Sequence, residues 1–183
     1  MRFSIMVFAM AAGLALAMPS TPAKSADPAY LVIGAGTWET LRDGYRKGEL
    51  DVAYRSNYAL WIFKPQAGLL VAGDGDFFGY TGLYTDIYWG SHIVTTLSAT
   101  FGGYGGGGYD LGSHFEFRTG GDVAWRFADT SRLGIGFYHI SNAGITRRNP
   151  GSESLLLQYS LPLTRLFPVA NPPPAVAATH FNQ

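Results

Sequence analysis

Between Ser113 and Phe127 the chain reads SHFEFRTGGDVAWRF. Phe115, Phe117, Val123, Trp125 and Phe127 fall on one face of an extended backbone, and His114, Glu116, Arg118, Asp122 and Arg126 on the other. This is the period-two alternation of a β-strand. In a soluble sheet the apolar face would be the core; in a membrane barrel it meets lipid and the charged face lines the interior. On the second reading Glu116 with Arg118, and Asp122 with Arg126, form an interior ion-pair network. His92, His114 and His180 are read as structural or surface residues.

Segments of the same kind follow one another near 30–38, 49–57, 64–73, 76–88, 92–102, 113–127, 132–141 and 153–163. The connections alternate in length. Those near 39–48, 103–112 and 142–152 are long, and those near 58–63, 89–91 and 128–131 are short. The turn at 74–75 breaks the alternation, being short where a long loop is due. Short turns at one end and longer loops at the other are the habit of outer-membrane barrels. Trp38, Tyr58, Trp61, Tyr88, Trp89, Trp125 and Tyr138 recur near strand ends, as interfacial girdles do. The expectation is an all-β chain, an eight-stranded antiparallel transmembrane β-barrel. The Gly-rich run 102–108 lacks the Lys-Ser/Thr ending and following helix of a phosphate-cradling loop, and reads as a flexible loop.

Composition agrees with that class. Of 183 residues 47% are hydrophobic and only 14% charged, against ~25% in soluble domains. Thirteen basic residues balance thirteen acidic ones, a poor fit to nucleic-acid binding, which needs a basic surface. The absence of Cys excludes a disulfide framework and a thiolate metal site. Residues 1–25 read as a secretory signal peptide: Arg2, then an apolar run from Phe3 to Met18, then Ala23-Lys24-Ser25 before a cleavage at Ala26. The run is short of the ~20 residues a spanning helix needs. Residues 26–167 make the barrel. Residues 168–183, with Pro168, Pro172, Pro173 and Pro174, cannot continue a strand and read as a disordered tail.

The chemistry sits in Leu133–Tyr159, LGIGFYHISNAGITRRNPGSESLLLQY. Leu133, Ile135, Phe137, His139 and Ser141 share a face that is apolar until its end, with Gly134, Gly136, Tyr138 and Ile140 opposite. On the next strand Glu153, Leu155, Leu157, Tyr159 and Leu161 share a face that begins with one ionisable residue. With both termini periplasmic, the seventh strand rises and the eighth descends. His139, Ser141 and Glu153 then meet at the external end, facing lipid at the depth of the outer headgroups. With Ser141 opposite Glu153, His139 lies on the diagonal, roughly 7 Å away between backbones. Ionisable groups on a lipid-facing surface are costly and call for a reason. A Ser–His–acid triad supplies one, the imidazole taking the hydroxyl proton and the acid fixing its tautomer. Asn142, Ala143, Gly144 and Asn149 lie beside the nucleophile as oxyanion donors or support, and Phe137, Leu155 and Leu157 are expected to line the acyl groove.

The segment His139-Ile140-Ser141-Asn142-Ala143-Gly144, followed by Asn149, Gly151 and Glu153, resembles the signature of the lipid A 3-O-deacylase (PagL-type) family. Glu116-Phe117-Arg118 and Arg132-Leu133-Gly134 resemble its sixth and seventh strands, and the strong likeness covers 113–163. The resemblance implies an outer-membrane barrel of a Gram-negative envelope that hydrolyses the ester-linked acyl chain at the 3-position of lipid A. Ser141 would be the nucleophile, His139 the base and Glu153 the orienting acid. It implies no metal and no organic cofactor; lipid A and membrane lipids are the partners, nucleic acid is not, and a homodimer is left open. The competing readings are a non-catalytic structural or adhesive outer-membrane barrel, and a soluble lipocalin-like barrel with its charged ladder turned outward.

Overall fold

The computed structural model describes residues 23–24, 27–73 and 75–167. The apolar leader, the cleavage position at Ala26 and the Pro-rich tail lie outside the described residues. Eight strands form: β1 Tyr30–Trp38, β2 Lys47–Arg55, β3 Lys64–Ala72, β4 Phe77–Trp89, β5 Ile93–Gly105, β6 Phe115–Arg126, β7 Arg132–Ser141 and β8 Ser152–Pro162. Each pairs antiparallel with the next, and β8 pairs with β1, closing the barrel. Ala23–Lys24 pairs with Tyr58–Ala59 as a separate two-residue ladder. A single helical turn, Leu163–Leu166, follows β8. Every strand read in the sequence is present, with β2 starting two residues earlier than its expected bound. Between β3 and β4 the Ala72 N–H donates to Asp76 O and the Gly75 N–H to Ala72 O.

The sidedness is that of a barrel made for lipid. Ile33, Leu50, Val52, Leu69, Val71, Leu97, Phe101, Val123, Ile135, Phe137 and Leu157 all face outward and exposed. Asp51, Arg55, Glu116, Arg118, Asp122 and Arg132 are buried in the lumen. Water on the outside would face a continuous apolar belt, which soluble proteins avoid. The lipocalin-like alternative would need the reverse.

The lumen is packed, and its ion pairs differ from those expected. Arg118 pairs with Asp51 at 2.9 Å, Arg55 with Asp122 at 2.7 Å, and Arg126 with Asp27 at 2.8 Å. Glu116 does not pair with Arg118; its carboxylate has no hydrogen-bond partner among the described residues. Residues two apart on one strand stand roughly 7 Å apart with parallel side chains. An eight-stranded barrel is narrow enough that long side chains from opposite walls meet instead. The glycines of β7 serve this packing. A Cβ on Gly136 would fall 2.7 Å from the Tyr138 ring and 2.6 Å from Gln158 Oε1, so its absence lets Tyr138 lie across the lumen under the Arg118 guanidinium, 3.8 Å from the ring centroid.

Three aromatic assignments are corrected. Trp38 and Tyr138 point inward and are buried, Trp38 stacking on Tyr104. Tyr58, Trp61, Trp89 and Trp125 are exposed and cluster at the short-turn end; Tyr88, at the same end, shares the inward face of Tyr84 and Asp86, and its hydroxyl donates to Asp27 and accepts from Arg132. The Gly-rich run also differs from its reading as a flexible loop. β5 runs through to Gly105, and the loop beyond is pinned by Asp76, whose carboxylate accepts the N–H groups of Gly108 and Tyr109 and the Tyr104 hydroxyl.

Candidate active site

The apolar belt is interrupted at the long-loop end of β7 and β8. His139 and Ser141 lie on the outward face of β7, and Glu153 on the outward face of β8. The ladder sets Glu153 directly opposite His139, not opposite Ser141. The register is shifted by two from the one expected, which keeps every side chain on its face. His139 Nδ1 lies 3.2 Å from Glu153 Oε1, with the imidazole 45% and the carboxylate 21% exposed. Ser141 is one pleat further along, roughly 7 Å from His139 between α-carbons. Its hydroxyl makes no hydrogen bond among the described residues. On its other side β6 sets Phe117 opposite Ser141. Phe117 meets Phe115 edge-on, and Phe115 contacts Phe101, a ridge of rings beside the polar group.

The four residues expected around an oxyanion separate into two kinds. Asn142 is fully buried and committed. Its amide nitrogen donates to Leu111 O, Thr146 Oγ1 and Arg148 O at 3.2, 3.0 and 2.8 Å, and its Oδ1 accepts the Gly144 N–H at 3.0 Å. Two amide hydrogens shared among three acceptors leave none to offer an oxyanion. Asn142 and Gly144 therefore shape the loop. The Asn142 N–H donates to Asn149 Oδ1 at 3.0 Å, which fixes that amide and leaves the Asn149 NH₂ without an acceptor among the described residues. The Ala143 N–H is likewise uncommitted, on a residue held at φ 53°, a left-handed conformation that non-glycine residues seldom adopt.

Sequence reasoning missed what holds this loop down. Thr146 donates to Gly112 O, and Arg148 pairs with Asp110, lacing the β7–β8 loop to the β5–β6 loop. From the β1–β2 loop, the Thr40 N–H donates to Glu153 O at 3.0 Å, and Arg42 reaches Pro150 O and Gly151 O. None of these carries a local sequence signal, because each partner is far away along the chain. Phe137 and Leu155 are direct cross-strand partners, as are Ile135 and Leu157. They form an outward apolar strip running from the His139–Glu153 pair toward the middle of the belt.

A closed eight-stranded antiparallel barrel, apolar outside and charged within, is the architecture of a membrane β-barrel. The chain belongs to the lipid A 3-O-deacylase (PagL) family, whose sequence profile matches residues 28–162, the whole barrel rather than its last strands alone. Among solved structures it is similar to the crystal structure of the outer membrane enzyme PagL, at TM-score 0.52 and 20% identity, over 73% of this chain and 99% of that one. At that identity the likeness is one of fold. No curated protein matches the chain.

Proposed function

We propose that this protein is an outer-membrane serine esterase that removes the acyl chain ester-linked at the 3-position of lipid A. The reading rests on membership of the deacylase family and on one observation: the His139–Glu153 contact at 3.2 Å on the lipid-facing surface, with Ser141 on the same face. A purely structural barrel has no use for an ionisable pair there.

In this mechanism lipid A lies beside the barrel with its sugar at the level of His139 and an acyl chain along Phe137, Leu155 and Leu157. Ser141 Oγ attacks the ester carbonyl carbon while His139 Nε2 takes the hydroxyl proton. Glu153 holds Nδ1–H and offsets the imidazolium charge. The Ala143 N–H and the Asn149 amide, the two uncommitted donors, receive the oxyanion. Collapse breaks the bond to the sugar oxygen, which leaves with the proton from His139. Water then attacks the acyl-enzyme by the same route, releasing the fatty acid and restoring Ser141. All of these steps use side-chain and backbone groups of this chain.

The working orientation puts the long loops and the triad outside and both termini in the periplasm, after removal of residues 1–25. The test is mass spectrometry of lipid A before and after incubation with the purified barrel. Loss of one 3-linked acyl chain by the wild type and not by Ser141→Ala is expected. Unaltered lipid A with folded wild-type protein would leave the structural or adhesive barrel as the better account.

A further inference from the structure

Gly151 carries φ +67° and is the last residue before β8. The ladder ends on the pair Ser152–Ile140, so Gly151 is level with Ser141 and shares the outward parity of Glu153. A side chain there would stand on the lipid face beside the nucleophile. Instead the His139 imidazole leans into that place. A Cβ built on Gly151 would lie 2.7 Å from His139 Cε1 and 3.3 Å from Nε2. The ring is thus fixed by Glu153 at Nδ1, and its Cε1–Nε2 edge occupies the space that a side chain on Gly151 would fill.

That seat is itself fastened. Arg42 Nη2 lies 3.4 Å from both Pro150 O and Gly151 O. Its guanidinium pairs with Glu39 at 2.9 Å and covers the Tyr109 ring at 4.3 Å. One side chain therefore ties the β1–β2 loop, the β5–β6 loop and the peptide under the imidazole.

We infer that Gly151 is a positioning residue of the deacylation reaction: its missing side chain is the space that lets His139 turn its Nε2 edge toward Ser141, and Arg42 holds that peptide in place. This rests on the triad reading above. The contact with Gly151 bears on ring placement and not on lipid binding, so the effect belongs in kcat. A displacement of about 1 Å in a catalytic group can cost on the order of 100-fold.

The experiment compares Gly151→Ala, Gly151→Asn, Arg42→Gln and Gly90→Ala with the wild type, purified in detergent with lipid A as substrate. It reads kcat and KM from released fatty acid and folding from heat-modifiable gel mobility. Gly90 is a left-handed glycine in the β4–β5 turn at the far end, with open space around it, and its variant controls for backbone strain. Asn tolerates the left-handed region better than Ala, yet its Cβ meets the imidazole equally. The inference expects kcat to fall ~10- to 100-fold in both Gly151 variants with KM unchanged, several-fold in Arg42→Gln, and not in Gly90→Ala. Recovery of kcat in Gly151→Asn relative to Gly151→Ala would assign the effect to strain and overturn it. So would full kcat in Gly151→Ala, or in Arg42→Gln, or a loss expressed in KM. Ser141→Ala and His139→Ala run alongside. If they stay active the triad reading fails, whereas if they are dead and the Gly151 variants are not, only this inference fails.

Discussion

Ser141, His139 and Glu153 face outward, so truncating them opens no void in the lumen, and the variants should fold. Loss of the nucleophile or the base is expected to cost ~10⁴-fold or more in rate. Glu153→Gln keeps the shape and loses the charge opposite His139; a large but incomplete loss is expected, with KM little changed because the apolar strip is untouched. Initial rates of fatty acid release, with gel mobility as the folding check, decide both points. Asn149→Ala removes a candidate oxyanion donor and should lower kcat by roughly 100-fold, and a variant with full kcat would leave the Ala143 N–H to act without it. The sequence placed all three triad candidates on one face, because alternation along a strand is a local property. It could not tell the free amide of Asn149 from the committed amide of Asn142, because the acceptors that occupy Asn142 come from Leu111, Thr146 and Arg148.

The strands are also joined across the lumen. Arg118 on β6 reaches Asp51 on β2, four strands round the barrel. Arg118→Ala should strand a buried carboxylate and destabilise the fold by about 3–5 kcal/mol, read as a lower denaturant midpoint in detergent at unchanged final fold. At the short-turn end, just before β1, Asp27 accepts from Tyr88, Arg126 and Arg132. Burial pushes its carboxyl up, but the hydrogen bonds from Tyr88 and Arg126 and the charge of Arg132 outweigh that and hold it below the ordinary carboxylate range. Its contribution to stability is then complete above the unfolded value of about 3.9 and fades as pH falls through the lower folded value. Melting curves of wild type and Asp27→Asn should therefore differ most at neutral pH and converge in strong acid; a gap that stays constant with pH would mean the carboxylate charge is not what matters. On the membrane-barrel reading, alternation in the sequence put Glu116, Arg118, Asp122 and Arg126 on the inward face. Which wall each one meets depends on barrel closure, and for that reason the pairs inferred along one strand did not form.

At the scale of the whole molecule, the outward belt of aliphatic and aromatic side chains has no counterpart in a water-soluble barrel. The processed protein is expected to begin at Ala26 and to fractionate with the outer membrane, checked by N-terminal sequencing and density-gradient separation of envelopes. Recovery in the soluble periplasm would contradict the sidedness of the barrel. The three long loops are stitched to each other through Asn142, Arg148 and Arg42, so the long-loop end is a single cap beside His139 and Glu153 and not a set of independent loops.

The sequence by itself determined the number of barrel strands, which side chains share a face, and the presence of His139, Ser141 and Glu153 at the long-loop end of one hairpin. All of these follow from a backbone repeat of two residues, which neighbours in sequence suffice to reveal. Only the tertiary structure decided that Glu153 stands directly across from His139, that Arg118 answers Asp51 across the lumen, and that the imidazole rests on Gly151 under the hold of Arg42. Those relations join residues far apart in the chain. They are set by ladder register, by the narrow bore of a closed eight-stranded barrel and by loops that fold onto one another, none of which leaves a periodic mark on the sequence.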